Sequence, residues 1–248
     1  MNKVKVYVIT GGGHFPGIGS CLAEKLLTQQ HKVVVNSRTF DSRWTELATK
    51  FADNLCMVPG DITDPEIQHR LLETAMNRYK RIDVLVNNAS SVKIGTTPDR
   101  DEWNREFMMN VIVPYELCMQ AKDYMQSSND GSVIMIGSRF AMQVADTKNP
   151  AYSIAKAALH QLTKNLSVQL APIRVNTVAP GMFESARWKQ KFAGQEDILR
   201  DRFDKKSLGH RGTISADALA DSIIFLANNE YITGQILPVC AGTSVARV

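Results

Sequence analysis

The chain has 248 residues, 44% apolar and 22% charged, with a formal net charge of +4. Length and apolar fraction suffice for one α/β domain with a full core. The charge is spread along the chain without a Lys/Arg block or an interleaved aromatic ladder, so neither nucleic acid nor a membrane surface is expected as a partner.

The first apolar run, VKVYVI, predicts a strand and leads into TGGGHFPGIG, residues 10–19, with five glycines in ten residues. Between that strand and the helix-patterned GIGSCLAEKLLTQQ, glycines allow a tight turn and bring amide N–H groups and a helix N-terminus against phosphate. The second strand, KVVVNS, runs into Asn36, Ser37 and Arg38, where an NAD-binding turn would carry an acid. A guanidinium there suits a ribose 2′-phosphate and hence NADP, the alternative being an Arg that faces solvent at a strand end. After SRWTELATKFA and the third strand, NLCMVPGD, Asp61 either accepts from an adenine amino group or caps the helix that follows, DPEIQHRLLETAMNRYK.

The fourth strand, IDVLVNNAS, leaves Asn87 and Asn88 at its carboxyl end, and a long helix, EWNREFMMNVIVPYELCMQAKDYMQ, precedes the fifth strand, SVIMIGS, with Ser138 behind it. AYSIAKAALHQLTKNLSVQLA then places Tyr152 and Lys156 four apart, on one helical face. A phenol with a pKa of about 10 is a poor acid or base at neutral pH, but a neighbouring ammonium stabilises the phenolate and draws that pKa toward the working range. The sixth strand, IRVNTVAPG, ends in Pro180 and Gly181 and opens a charged insertion over 182–212. An insertion of that size is a lid or binding loop, or else a solvated helical pair. Its eight Lys/Arg against five Asp/Glu between Phe183 and Arg211 favour an anionic substrate or carrier. SADALADSIIFLAN and GQILPV complete the pattern.

Continuous apolar runs alternating with helices predict a single domain over 1–248 of the α/β class, a Rossmann-type doubly wound parallel sheet of seven strands with helices on both faces. Ligands of such sheets bind outside the strand carboxyl ends, where Ser138, Asn88 and Pro180 fall. Cys21, Cys56, Cys118 and Cys240 form no CxxC pair and read as reduced thiols, and the five histidines show no ligand spacing, so no metal site is expected. The N-terminus lacks a signal sequence, and no run approaches the roughly eighteen apolar residues of a membrane span, so a cytoplasmic protein is expected.

In this order the motifs TGGGHFPGIG, GDITD, NNAS, FMMNV, a Ser before YSIAK, RVNTVAPG and YITGQ resemble the short-chain dehydrogenase/reductase family over nearly the whole chain. The resemblance implies an NADP(H)-dependent oxidoreductase that interconverts a small-molecule carbonyl and an alcohol. It casts Tyr152 as the acid/base, Lys156 as the residue that lowers its pKa and holds the nicotinamide ribose, Ser138 as the hydrogen-bond partner of the reacting oxygen, and Asn110 as the support of a proton-relay water. Gly11, Gly13, His14, Gly17, Ile18, Ser37, Arg38, Asp61, Ile62, Asn88, Ala89, Pro180, Gly181 and Ser185 would complete the cofactor site. Asn110 is equally a core amide that kinks a long helix. The family also implies a homodimer or homotetramer built on the helices around Asn110 and Tyr152. A pteridine reductase and an NADP-sensing binding protein without turnover are the competing readings.

The chain departs from the family pattern in its glycine turn, where Gly11 and Gly17 enclose five residues instead of three, and at VCAGTS, which replaces an acidic DGG. Ser138 also stands one residue further from Tyr152 than is commonest.

Overall fold

The structure is a computed structural model that describes residues 3–91, 97–126, 130–143, 150–191, 193–209 and 213–245. Its strands are β1 (Val6–Thr10), β2 (Lys32–Ser37), β3 (Leu55–Pro59), β4 (Val84–Asn87), β5 (Ser132–Ile136), β6 (Arg174–Pro180), β7 (Met182–Phe183), β8 (Thr213–Ile214) and β9 (Ile236–Val239). Its helices are α1 (Ile18–Thr28), α2 (Arg43–Lys50), α3 (Pro65–Tyr79), α4 (Arg100–Phe107), α5 (Val113–Gln126), α6 (Pro150–Gln169), α7 (Ala186–Lys191), α8 (Glu196–Asp204) and α9 (Ala216–Asn228). Seven strands form one parallel sheet in the order β3-β2-β1-β4-β5-β6-β9.

The apolar runs become strands because each feeds two cores. On β1, Val6 and Val8 join the layer packed under α3, α5 and α6, through Leu71, Leu117 and Leu159, while Tyr7 and Ile9 join the layer under α1, α2 and α9, through Leu22, Trp44 and Ile223. With side chains alternating across the pleat, a strand covered on both sides has no polar face to show. Each such fully buried Leu or Ile contributes about 1.5–3 kcal/mol.

Strand order reverses between β1 and β4, which places a crevice at their carboxyl ends. The register aligns Thr10 with Asn36, Asn87 with Met135 and Ile136 with Val178, so the residues just beyond these strands come out on one rim.

Two regions add detail to the pattern read in the sequence. The long helix is broken: α4 and α5 are joined by a π-helical turn, Met108–Ile112, that contains Asn110. The insertion folds into α7 and α8, bracketed by a two-stranded parallel ladder of β7 and β8 that the sequence did not announce, and its residues 192 and 210–212 lie outside the described residues. No described helix is long and apolar enough to cross a membrane.

Candidate active site

The cleft above the switch point has a volume of about 570 Å³. It is lined by every residue assigned above to catalysis or cofactor binding except Asn110, which is buried behind it.

At one end the glycine turn closes over β1. Gly11 has φ +74°, and a Cβ there would stand 2.6 Å from the Cα of Ala89, so only glycine lets this turn lie against the loop after β4. The N–H groups of Gly11 and Gly12 both donate to the Asn36 carbonyl, at 2.8 and 3.1 Å. Gly13 lies on Ser37 and Thr39, and a Cβ on Gly12 would come 2.6 Å from Val35, so both glycines serve the packing of the turn on β2. The two extra residues of the turn are absorbed sideways. The Phe15 N–H donates to Asp41 Oδ2 at 2.7 Å, and the Phe15 ring packs 5.6 Å from the Trp44 ring and 4.5 Å from the Arg43 guanidinium. This anchorage leaves His14 exposed at the rim, with Nε2 3.1 Å from Thr39 Oγ1. Arg38 is exposed beside it and Ser37 half-buried.

The helix that starts at this turn is prepared for an anion. Gly17 is the N-cap of α1 and supplies no side-chain acceptor, and the first turn carries no acidic residue. The unmatched N–H groups and the positive end of the helix dipole therefore face the cleft at Gly17 and Ile18. With Arg38, His14 and Ser37 near the far end, and Asp61 and Ile62 beside Gly60, the cleft fits a dinucleotide with an extra phosphate on its adenosine ribose.

Asp61 does not cap α3. It accepts from Thr63 N and Thr63 Oγ1 at 3.0 and 2.9 Å, while Asp64 caps the helix by accepting from Glu66 N. The side chain of Asn88 is structurally committed, since its Nδ2 donates to the carbonyls of Thr10 and Gly11, each at 2.8 Å, and so clamps β4 to the turn. Ser185 lines the cleft but uses its Oγ to accept from Trp188 N at 3.1 Å, capping α7. Ala186 N donates to the Pro16 carbonyl at 2.8 Å, which ties the insertion to the glycine turn. Gly181 packs beneath the C-terminal segment, where a Cβ would lie 2.7 Å from the Cα of Cys240.

At the other end Tyr152 and Lys156 project from one face of α6. Lys156 Nζ lies 5.8 Å from the centroid of the Tyr152 ring and donates to the Ile136 carbonyl at 2.6 Å. Only 2% of Lys156 is exposed, and this burial pushes its ammonium down to about 7, against the opposing pull of Glu106. Ser138 is buried in the wall and accepts from Phe140 N at 3.2 Å, which leaves its O–H to donate elsewhere; residues 144–149, on the way to Tyr152, lie outside the described residues. Asn110 accepts from Ser90 Oγ at 2.7 Å and donates to the Glu106 carboxylate at 2.9 Å.

The sequence reading missed several lining residues. Asn36 binds the Val58 and Gly60 carbonyls and so joins β2 to β3 under the cleft, while Ser90, Met109, Phe183 and Gln190 complete its walls. The described cysteines are unpaired, and no cluster of three or more His, Cys, Asp or Glu able to hold a metal occurs among the described residues.

This geometry agrees with what the chain is similar to. A family profile described as enoyl-(acyl carrier protein) reductase matches residues 13–244. Dehydrogenase/reductase SDR family member 4 of Sus scrofa is 31% identical over 242 residues, covering 92% of this chain and 84% of that protein. A 3-oxoacyl-(acyl-carrier-protein) reductase of Buchnera aphidicola is 28% identical over 244 residues, covering 96% of each. The structure of L-sorbose reductase from Gluconobacter frateurii, complexed with NADPH and L-sorbose, superposes with a TM-score of 0.88 at 26% identity, covering 98% of each chain. The protein is therefore an oxidoreductase enzyme of the short-chain dehydrogenase/reductase family.

Proposed function

We propose that this chain binds NADP(H) in preference to NAD(H) and interconverts a small-molecule ketone and the corresponding alcohol, with Tyr152 as the acid/base. The observation that carries this reading is the buried Lys156 ammonium 5.8 Å from the Tyr152 ring, on a cleft that also holds Ser138 and the uncapped start of α1. The 2′-phosphate preference rests on Ser37 and Arg38 at the end of β2 and on His14 of the glycine turn beside them, in a stretch of the cleft wall that Asp41 does not line.

When bound, the reduced nicotinamide supplies a hydride to the carbonyl carbon. The protein supplies the rest. Ser138 Oγ donates a hydrogen bond to the carbonyl oxygen and orients it, and Tyr152 gives its phenolic proton to that oxygen as it becomes an alcohol. Lys156 stabilises the phenolate left behind, since a cation in a site shielded from water acts at much lower dielectric than in bulk. Asn110, held by Ser90 and Glu106, keeps the wall behind Lys156 polar. In the oxidative direction Tyr152 takes the alcohol proton by the same path.

Two relatives support a ketone as the substrate class, one named for a 3-oxoacyl chain and one bound to L-sorbose, a ketose. We also propose that the enzyme assembles as a homodimer or homotetramer through α4, α5, the π-helical turn between them and α6, where Met108, Ile112, Tyr115 and Ile154 are 40–46% exposed.

The test is NADPH oxidation by the purified protein with ketones, 3-oxoacyl thioesters, enoyl thioesters and pterins, beside Tyr152→Phe. Oxidation with a ketone, abolished in the variant, is the expected result. Tight NADPH binding with no oxidation by any acceptor, and identical behaviour of the variant, would instead identify a sensor.

A further inference from the structure

A buried carboxylate sits behind the wall of the cleft. Glu106, in the last turn of α4, is 1% exposed. Its Oε2 accepts from Asn110 Nδ2 at 2.9 Å, and its backbone carbonyl accepts from the same amide group at 3.0 Å. Asn110 stands in the π-helical turn that continues α4, one turn beyond Glu106. The amide is held from the other side too, with Oδ1 accepting from Ser90 Oγ at 2.7 Å and Nδ2 reaching the Ser91 carbonyl at 3.4 Å.

A buried carboxylate persists only where hydrogen bonds or an opposite charge offset its lost hydration. Among the described residues two cations act on Glu106: Arg105 on its own helix, which is exposed, and Lys156 from α6, which packs against α4 and is itself buried. The Ser91 hydroxyl lies beside Glu106 from the loop after β4. Among the described residues no other anion acts on Lys156: its hydrogen bond goes to the neutral Ile136 carbonyl, and His160, one turn along, adds no negative charge. Burial pushes the Glu106 carboxyl up, and Lys156 is among the groups that pull it back.

We propose that Glu106 is a positioning residue of the reaction: its carboxylate fixes the Asn110 amide and is the counter-charge that keeps Lys156 an ammonium behind the Tyr152 phenol. The catalytic part of this assignment rests on the function proposed above, whereas the Glu106–Lys156 coupling does not.

The coupling is measured on the protein without cofactor. With carbon-13 lysine, the Lys156 Cε signal, assigned by its loss in Lys156→Met, is followed against pH in the wild type and in Glu106→Gln, which keeps the shape and an acceptor for Asn110. The expected result is a titration midpoint at lower pH in Glu106→Gln. If that variant does not fold, the reciprocal measurement stands alone: the Glu106 carboxyl carbon should titrate at higher pH in Lys156→Met than in the wild type. An unmoved midpoint in whichever variant folds overturns the proposal. In turnover, the alkaline limb of kcat should move to lower pH in Glu106→Gln with KM for NADPH unchanged; a uniform fall in kcat with the limb in place would reveal packing alone and overturn the positioning role. Should the wild type reduce no carbonyl, the ketone reductase reading fails while the titration still decides the Glu106 assignment.

Discussion

Lys156 Nζ is held between two groups, the Ile136 carbonyl at 2.6 Å and the Tyr152 ring at 5.8 Å from its centroid, so α6 delivers the cation to the end of β5 and to the phenol at once. Removing the charge in Lys156→Met should lower kcat by a factor on the order of 10² to 10⁴, the usual contribution of a well-placed acid/base system. Lys156→Arg should not rescue it, because a planar guanidinium cannot occupy a slot only 2% exposed and keep the single bond to Ile136. Steady-state kinetics with NADPH and an accepted ketone check both, and wild-type kcat in Lys156→Arg would show that any positive charge suffices.

His160, one turn beyond Lys156, predicts how stability responds to acid. Its ring lies against Gly137, Nε2 has no hydrogen-bond partner among the described residues, and burial, reinforced by Lys156, pushes it down to about 4 from an ordinary 6.5. Between those values the unfolded chain binds a proton that the folded chain refuses. The stabilisation is therefore complete above about 6.5 and is lost as pH falls toward 4, by up to roughly 3 kcal/mol. Replacing the ring in His160→Leu should flatten this part of the curve. Urea unfolding at neutral pH and near pH 5 measures it, and parallel losses in variant and wild type would assign acid sensitivity to other groups.

The sequence discloses the sheet and most of the cleft because both follow from short-range pattern. Runs such as VKVYVI can only be strands buried on two faces, and motifs that end strands fall on one rim whatever the loops do. What stays hidden depends on how elements dock. Glu106 reads as one more charge on a polar helix, and becomes buried only because α4 packs against α6 with a π-helical turn after it. The side-chain amide of Asn88 looks available to a cofactor until the register of β1 and β4 commits it to the Thr10 and Gly11 carbonyls. The extra length of the glycine turn is unreadable as well, since its anchor, Trp44, lies on a different helix. The ladder of β7 and β8 has two residues on each side, too few to show a period.

Gly11 tests the geometry of that turn. Its φ of +74° is strained for any L side chain, and a Cβ would meet backbone of Ala89 at 2.6 Å, where neither partner can give way cheaply. Gly11→Ala should cost about 1–3 kcal/mol of stability and displace the turn from the loop after β4. NADPH affinity should fall with it, read by calorimetry beside thermal unfolding. Gly194 is the control: it too has positive φ, +80°, but nothing within 4 Å, so Gly194→Ala should lose stability through strain alone and leave NADPH binding intact.

Cofactor choice should depend on the exposed rim at the end of β2. Arg38 and His14 flank Ser37 and Thr39 there, with His14 held 3.1 Å from Thr39 Oγ1 and the Asp41 carboxylate turned away to the Phe15 N–H. A charge-assisted bond to phosphate contributes about 1.5–3 kcal/mol. Arg38→Ala should therefore weaken NADPH by roughly 10- to 100-fold and leave NADH within a few-fold. Arg38→Asp should go further, since a carboxylate repels the 2′-phosphate and can accept from a free 2′-hydroxyl, so the preference should invert toward NADH. The measurement is kcat/KM for each cofactor with one fixed ketone. Equal losses for NADPH and NADH in Arg38→Ala would mean that Arg38 supports the turn rather than reading the phosphate.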